Sequence, residues 1–167
     1  MGLSESLLGL QADQLGRLDE GEQRLARAAE LLGQAGDEHG RMAQAINLAN
    51  LRFRRGDLLA AQAGYREALA FYEAAGNQQI AALVHGNLGS TLARLGRLEE
   101  ALAQHEQARA RQAALGLEAD AAATQSNIAA LHFRRGDLEA ALQGHLAALA
   151  VAERQGNRGA TGVRQYN

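Results

Sequence analysis

Apolar residues recur along this chain at helical spacing, and the pattern returns every 40 residues. The stretch 81–120 shows it most clearly. Leu83, Leu88, Leu92 and Leu95 predict an amphipathic helix that ends near Gly96. Glycine there supplies the left-handed cap that stops a helix at little cost. A second helix is predicted from about Leu98, through Ala101, Leu102, Ala108 and Ala113, to Gly116. The residues after Gly116 lead into the next copy. The predicted unit is therefore helix, tight turn, helix, loop.

Fixed columns carry the same unit through the chain. Gly16, Gly56, Gly96 and Gly136 stand 40 residues apart, as do Gly36, Gly76, Gly116 and Gly156, and Asn47, Asn87, Asn127 and Asn167. A fixed period in this range marks a solenoid, in which one supersecondary unit stacks on copies of itself. The expected organisation is one array over 1–160, with repeats at about 1–40, 41–80, 81–120 and 121–160. Residues 161–167 would begin a fifth repeat or form a residual capping helix. Ending partway through a repeat predicts a fragment of a longer protein. An apolar end near Leu142, Leu146 and Leu149 would then be exposed and could drive end-to-end dimers. The first copy is the weakest: it carries Leu7 in the Asn column and Gly21 in a small-residue column, as suits a capping repeat.

Two further columns describe the packing. Ala61, Ala101 and Ala141 form one, and Ala28, Ala68, Ala108 and Ala148 another, on one face of the second helix. Small side chains let neighbouring helices approach, and a large replacement is expected to cost about 1–3 kcal/mol. Asp57 and Asp137 follow their glycines, where they are expected to N-cap the second helix.

Composition narrows the class. There is no Pro, Cys or Trp, aromatics are 4%, and every one of the 17 cations is Arg. That favours an all-α fold with a core of Leu and Ala. A formal charge of −2 lacks the basic footprint of a nucleic-acid binder. No apolar run reaches the ~18 residues of a membrane span, and no basic leader opens the chain, so a cytoplasmic location is expected.

These positions resemble the tetratricopeptide repeat. The family's pattern is matched by His85, Leu88-Gly89, Leu92, Gly96, Ala101, His105 and Ala108 in the third copy. In the second it is matched by Leu48-Ala49, Gly56, Ala61, Tyr65 and Ala68, and in the fourth by Ile128-Ala129, His132, Gly136, Ala141, His145 and Ala148. The family's Trp and Pro are missing, and His stands at two aromatic sites. The 40-residue period is similar to the longer-helix variety of Pins-type adaptors, kinesin light chains and bacterial tetratricopeptide regulators, and Asn87-Leu88-Gly89 resembles the motif opening each adaptor repeat. The resemblance implies an all-α, right-handed solenoid of stacked helix-turn-helix repeats.

In such arrays the first helices line a concave groove, which makes two columns candidates for partner contact: Asn47, Asn87 and Asn127, and Arg54, Arg94 and Arg134. They lie seven residues apart, close to two helical turns, so each pair shares a face. An amide can donate to and accept from an extended backbone, and a guanidinium can hold a carboxylate bidentately. Asn at this column contacts partner peptides in related groove binders. Phe53 and Phe133 flank Ala93 in a third column, which offers an apolar gap between two rings, and Asn50 and Ser90 add polar groups. The alternatives are ordinary ones: Asn bonding a neighbouring helix, Arg on a solvated face, Phe packed against the next helix.

Catalysis and cofactors find no support. The five histidines show no metal-binding spacing, and His105 and His145 fit the family's aromatic site. No phosphate loop, cysteine nucleophile or serine elbow is present, and no cofactor or metal is expected. The expected function is a protein-interaction module holding an extended, acidic segment of a protein or peptide partner, with no role for nucleic acid or membrane. The alternatives are a peptide- or ligand-sensing array of a larger bacterial signalling or transcription regulator, and a self-assembling end-to-end homo-oligomer.

Overall fold

The computed structural model describes residues 2–164, and side chains over residues 2–156. Eight helices follow one another: α1 Gly2–Gln14, α2 Leu18–Gln34, α3 Glu38–Arg55, α4 Leu58–Ala74, α5 Gln78–Arg94, α6 Leu98–Ala114, α7 Glu118–Arg134 and α8 Leu138–Arg164. Each packs against its sequence neighbours, and no strand occurs among the described residues. The fold is an all-α solenoid of helix pairs.

Every connection is the same turn. Gly16, Gly36, Gly56, Gly76, Gly96, Gly116 and Gly136 all sit at φ between +70° and +96°, where an L side chain is strained. The amide after each glycine bonds the carbonyl five residues back, as Arg97 N does to Leu92 O at 3.0 Å and Asn77 N to Tyr72 O at 2.9 Å. The glycine amide bonds three back, as Gly96 N does to Ala93 O at 3.2 Å. That pair is the Schellman closure of a helix C-terminus. The residue after the glycine is also the N-cap of the next helix, so one residue ends one element and begins the next. The links within repeats and between repeats are thus alike, where the sequence pattern suggested a turn in one place and a loop in the other.

Capping differs from expectation at one position. Asp37 Oδ1 accepts from Gly40 N at 2.8 Å, Asn77 Oδ1 from Ile80 N at 3.0 Å, and Asp137 Oδ1 from Ala140 N at 3.3 Å. Asp57 makes no such bond; its carboxylate pairs with Arg55 across the turn, at 2.5 Å. Helix α8 runs through the position of Gly156 without a turn, to Arg164. Of the stretch 161–167, the last three residues, including Asn167, lie outside the described residues.

Burial explains the small-residue columns. Ala28, Ala61, Ala68, Ala101 and Ala108 are fully buried, and Ala141 and Ala148 nearly so. Around them Leu25, Met42, Leu51, Tyr65, Val84, Leu92 and His105 fill the core. Gly89 is needed for a local reason: a Cβ there would sit 2.9 Å from the His105 ring. The sequence therefore pairs a missing side chain on α5 with a large ring on α6.

The backbones of the odd-numbered helices α1, α3, α5 and α7 approach their odd-numbered neighbours, whereas those of the even-numbered helices stay apart and meet only through long side chains, as Arg111 and Glu73 do. Helices that approach more closely lie on the inner side of a curved stack. The odd helices therefore line the concave side, and α2, α4, α6 and α8 form the outer one.

Candidate partner-binding groove

All ten sequence-predicted positions fall on concave helices. Asn47, Asn50, Phe53 and Arg54 are on α3, Asn87, Ser90 and Arg94 on α5, and Asn127, Phe133 and Arg134 on α7. Five of them meet in one cavity of about 390 Å³ lined by Asn50, Phe53, Arg54, Tyr65, Asn87 and Ser90. Asn47, Arg94, Asn127, Phe133 and Arg134 lie outside it.

A short polar network forms the floor of this cavity. The Tyr65 hydroxyl donates to Asn50 Oδ1 at 2.6 Å, and Asn87 Nδ2 donates to the same oxygen at 3.2 Å. Burial pushes the Tyr65 hydroxyl up to about 12, against a smaller opposing pull from Arg54, so it stays a neutral donor across the physiological range. With Nδ2 so engaged, Asn87 keeps its carbonyl oxygen for other donors. The Ser90 hydroxyl turns back to Gly86 O at 3.0 Å and is half committed to its own helix.

The asparagine column is not uniform. Asn47 is half-buried and donates to Gln44 Oε1 at 3.2 Å, an oxygen that also accepts from Ser6 at 2.9 Å. Asn127 is exposed and makes no side-chain hydrogen bond among the described residues. Asn47 thus bonds within its own helix, Asn87 bonds the neighbouring α3, and Asn127 is open.

The arginine column forms a ladder with a structural rung. Arg94 Nη1 donates to Phe53 O at 2.7 Å, and Arg134 Nη1 to Ala93 O at 2.8 Å. Both reach the last turn of the preceding concave helix, where carbonyls with a spare lone pair and the helix dipole favour a cation. Arg54 makes the equivalent reach but finds a side chain, the carboxylate of buried Asp13. Arg94 also lies over the Phe53 ring, 4.7 Å from its centroid. That face of Phe53 is therefore covered rather than open toward Ala93, while Phe133 is exposed. A guanidinium carries five donors, and among the described residues neither Arg94 nor Arg134 is paired with a carboxylate.

Two residues of the site escaped the sequence reading. Tyr65 comes from the convex helix α4, where the resemblance marks it only as a position of the repeat pattern; its length carries the hydroxyl through to the concave side. Asp13 stands in the column of Phe53 and Ala93, and its repeat spacing of 41 from Arg54 was the available signal. Among the described residues no three metal-ligating side chains gather, and no helix is long and apolar enough to cross a membrane.

The stacked pairs and the concave polar face define a class: a helical-repeat solenoid that offers a surface rather than a cleft. The sequence profile of the tetratricopeptide repeat, a family of protein-interaction scaffolds, matches residues 41–114. No curated protein matches the sequence. The crystal structure of BtubC (BKLC) from P. vanneervenii is similar in fold, with a TM-score of 0.85 at 24% identity, covering 91% of this chain and 63% of that one. Aspartyl phosphate phosphatase F from Bacillus subtilis is similar at TM-score 0.83 and 14% identity, covering 93% and 41%. A putative kinesin light chain from Podosopora anserina with nearly identical TPR-like repeats gives 0.77 at 18%, covering 90% and 74%. The chain spans less than two thirds of the length of the first two.

Proposed function

We propose that this chain binds an extended segment of a partner protein along α3, α5 and α7, and that the segment is acidic. The observation behind this is the cavity between α3 and α5, where amides, two hydroxyls and a guanidinium converge on the concave side. An extended peptide has one donor and one acceptor per residue, which the Asn87 carbonyl and the Asn127 amide can meet. Arg94 and Arg134 use one nitrogen each to tie adjacent repeats, and their remaining donors suit carboxylates on the peptide. No role in catalysis is assigned to any residue of the groove.

The test is a pull-down from source lysate with the wild type beside an Asn87→Ala/Asn127→Ala variant, read by mass spectrometry. Both substitutions are polar truncations on the concave side, so helicity and melting temperature should stay close to wild type. Loss of a captured protein in the variant is the expected result. Equal capture by both would sink the groove reading. For a captured segment, binding should weaken with added salt and with Arg94→Gln/Arg134→Gln, because solvated ion pairs are screened within about 10 Å at 0.1 M salt.

A further inference from the structure

Three arginines of the concave side make the same reach. Arg54, Arg94 and Arg134 each extend to the residue 41 places back, near the end of the preceding concave helix. Arg94 and Arg134 meet the main-chain carbonyls of Phe53 and Ala93, and among the described residues each spends only Nη1 on a hydrogen bond. Nε and Nη2 of both remain. They form one edge of the guanidinium, and such an edge grips a carboxylate with two parallel bonds. Arg54 shows a carboxylate in place. Asp13 stands in the column of Phe53 and Ala93, and its side chain, not its main chain, meets Arg54. The array fills the first rung of the ladder with an acid of its own and leaves the next two open.

The stack sets the spacing of the open rungs. Cα atoms of α3 and α5, and of α5 and α7, come within 8 Å of one another, and packed helices stand about 8–10 Å apart axis to axis. Each arginine reaches back by one concave helix, so the two guanidinium groups are one such step apart. Extended peptides offer few matches to that step. In a β-strand, side chains on one side recur every second residue, at about 6.7 Å and then about 13 Å. In polyproline II they recur every third residue, at about 9.3 Å. That conformation makes no internal hydrogen bonds. Its main chain is therefore free for the Asn87 carbonyl and the Asn127 amide, which lie one repeat apart, seven residues before the arginines. A helical ligand would keep its main-chain groups to itself and leave both unused.

We propose that one repeat reads three residues: the ligand of the groove is a polyproline II segment with acidic side chains at positions i and i+3, one on Arg94 and one on Arg134. The proposal rests on the groove reading above and adds the register to it. Asp13 marks where the register ends, because a third acid arriving at Arg54 meets a carboxylate already there.

Nuclear magnetic resonance titration of the full chain with synthetic peptides tests this. The probes are nine-residue peptides of Ala and Ser, acetylated and amidated, with two glutamates at steps of two, three or four residues. Peptides this short do not form helices in water. A stapled helical peptide with glutamates seven residues apart, about 10.5 Å along one side, is the fourth probe. The readout is the Nε–Hε signals of Arg94 and Arg134, assigned from Arg94→Gln and Arg134→Gln. The three-step peptide should move both signals and bind about two- to five-fold more tightly than the other spacings, the range that one added ion pair at a solvated site allows. Either arginine variant should remove that preference. Asp13→Asn should give a similar gain for a peptide with a third glutamate a further three residues on, and none for the two-glutamate peptide; no gain would overturn the role given to Asp13. Tighter binding of the two-step, four-step or helical peptide, or equal binding of all four, overturns the register and leaves acidic recognition by the groove standing. No shift of either signal with any probe overturns the groove reading itself, and the register with it.

Discussion

The middle of the array and its last helix pair share one repeat pattern but are filled differently. Between α4, α5 and α6, Glu73 accepts from Arg111 at 2.9 Å and lies 3.2 Å from His85 Nε2, while His85 Nδ1 lies 2.7 Å from Gln104. Forty residues on, the same four columns hold Ala113, Val151, Gln125 and Gly144. There the space stays open, as a cavity of about 440 Å³ between α6, α7 and α8. A second cavity of about 410 Å³ lies between α7 and α8, lined by Ala119, Ala122, Ala123 and His145 among others. Aromatic packing follows the same division. His39 and Phe71 meet edge-on at 4.9 Å, and Phe71 and Tyr72 at 5.2 Å. The column of Tyr72 ends in exposed Ala152. A repeat thus specifies its backbone by itself, but how tightly it packs depends on the volume its columns carry and on what covers them.

The largest effect that would separate the two regions is expected in the column of Tyr65 and His145. Tyr65→Ala removes a fully buried ring and its bond to Asn50, at a cost of about 3–5 kcal/mol. His145→Ala removes an exposed side chain and should fall within about 0.5 kcal/mol of wild type. Urea melts of both variants measure the difference directly, and similar values would erase the distinction.

A smaller effect with opposite signs is expected for Ala82 and Ala122, again one column. Ala82 is buried in a filled core, so Ala82→Leu should destabilise by about 1–3 kcal/mol. Ala122 lines both cavities of the last pair. Ala122→Leu fills space and should stabilise by up to about 1 kcal/mol. Destabilisation by both would mean that the cavities close in solution.

The smallest effect is a pH dependence confined to the middle. Burial holds His105 below its ordinary value of 6.5, because the imidazolium would lose its hydration. The unfolded chain therefore binds a proton more readily than the folded one. The stability contributed by neutral His105 is complete above pH 6.5 and falls as pH drops below it. Thermal melts from pH 7.5 to pH 5 should show a slope that His105→Gln reduces. An unchanged slope would locate the dependence elsewhere.

Much of this was legible in the residues. The glycine columns at 40-residue steps announced the helix ends as far as Gly136, because a left-handed residue strains any side chain but glycine, and failed at Gly156, which α8 passes without a turn. The alanine columns announced the helix contacts, because a larger group cannot fit where Ala61 and Ala101 are fully buried. The concave helices were legible only through the family resemblance. That five of the candidate residues would share a cavity was not legible: Tyr65 enters it from a convex helix, and no spacing on α3 or α5 reports its reach. The leucines of α8 were visible as an apolar end.

By itself the sequence determined the period, the helix ends and the residues of each column, since these rest on local backbone preference and on side-chain size. Tertiary structure alone decided which member of a column is core and which is surface. Burial belongs to pairs of repeats, so Leu102 and Leu142 share a chemistry and differ only in their neighbour. It also decided that Arg94 and Arg134 bridge repeats through main-chain carbonyls, for a carbonyl at a helix end leaves no trace in the residue that carries it.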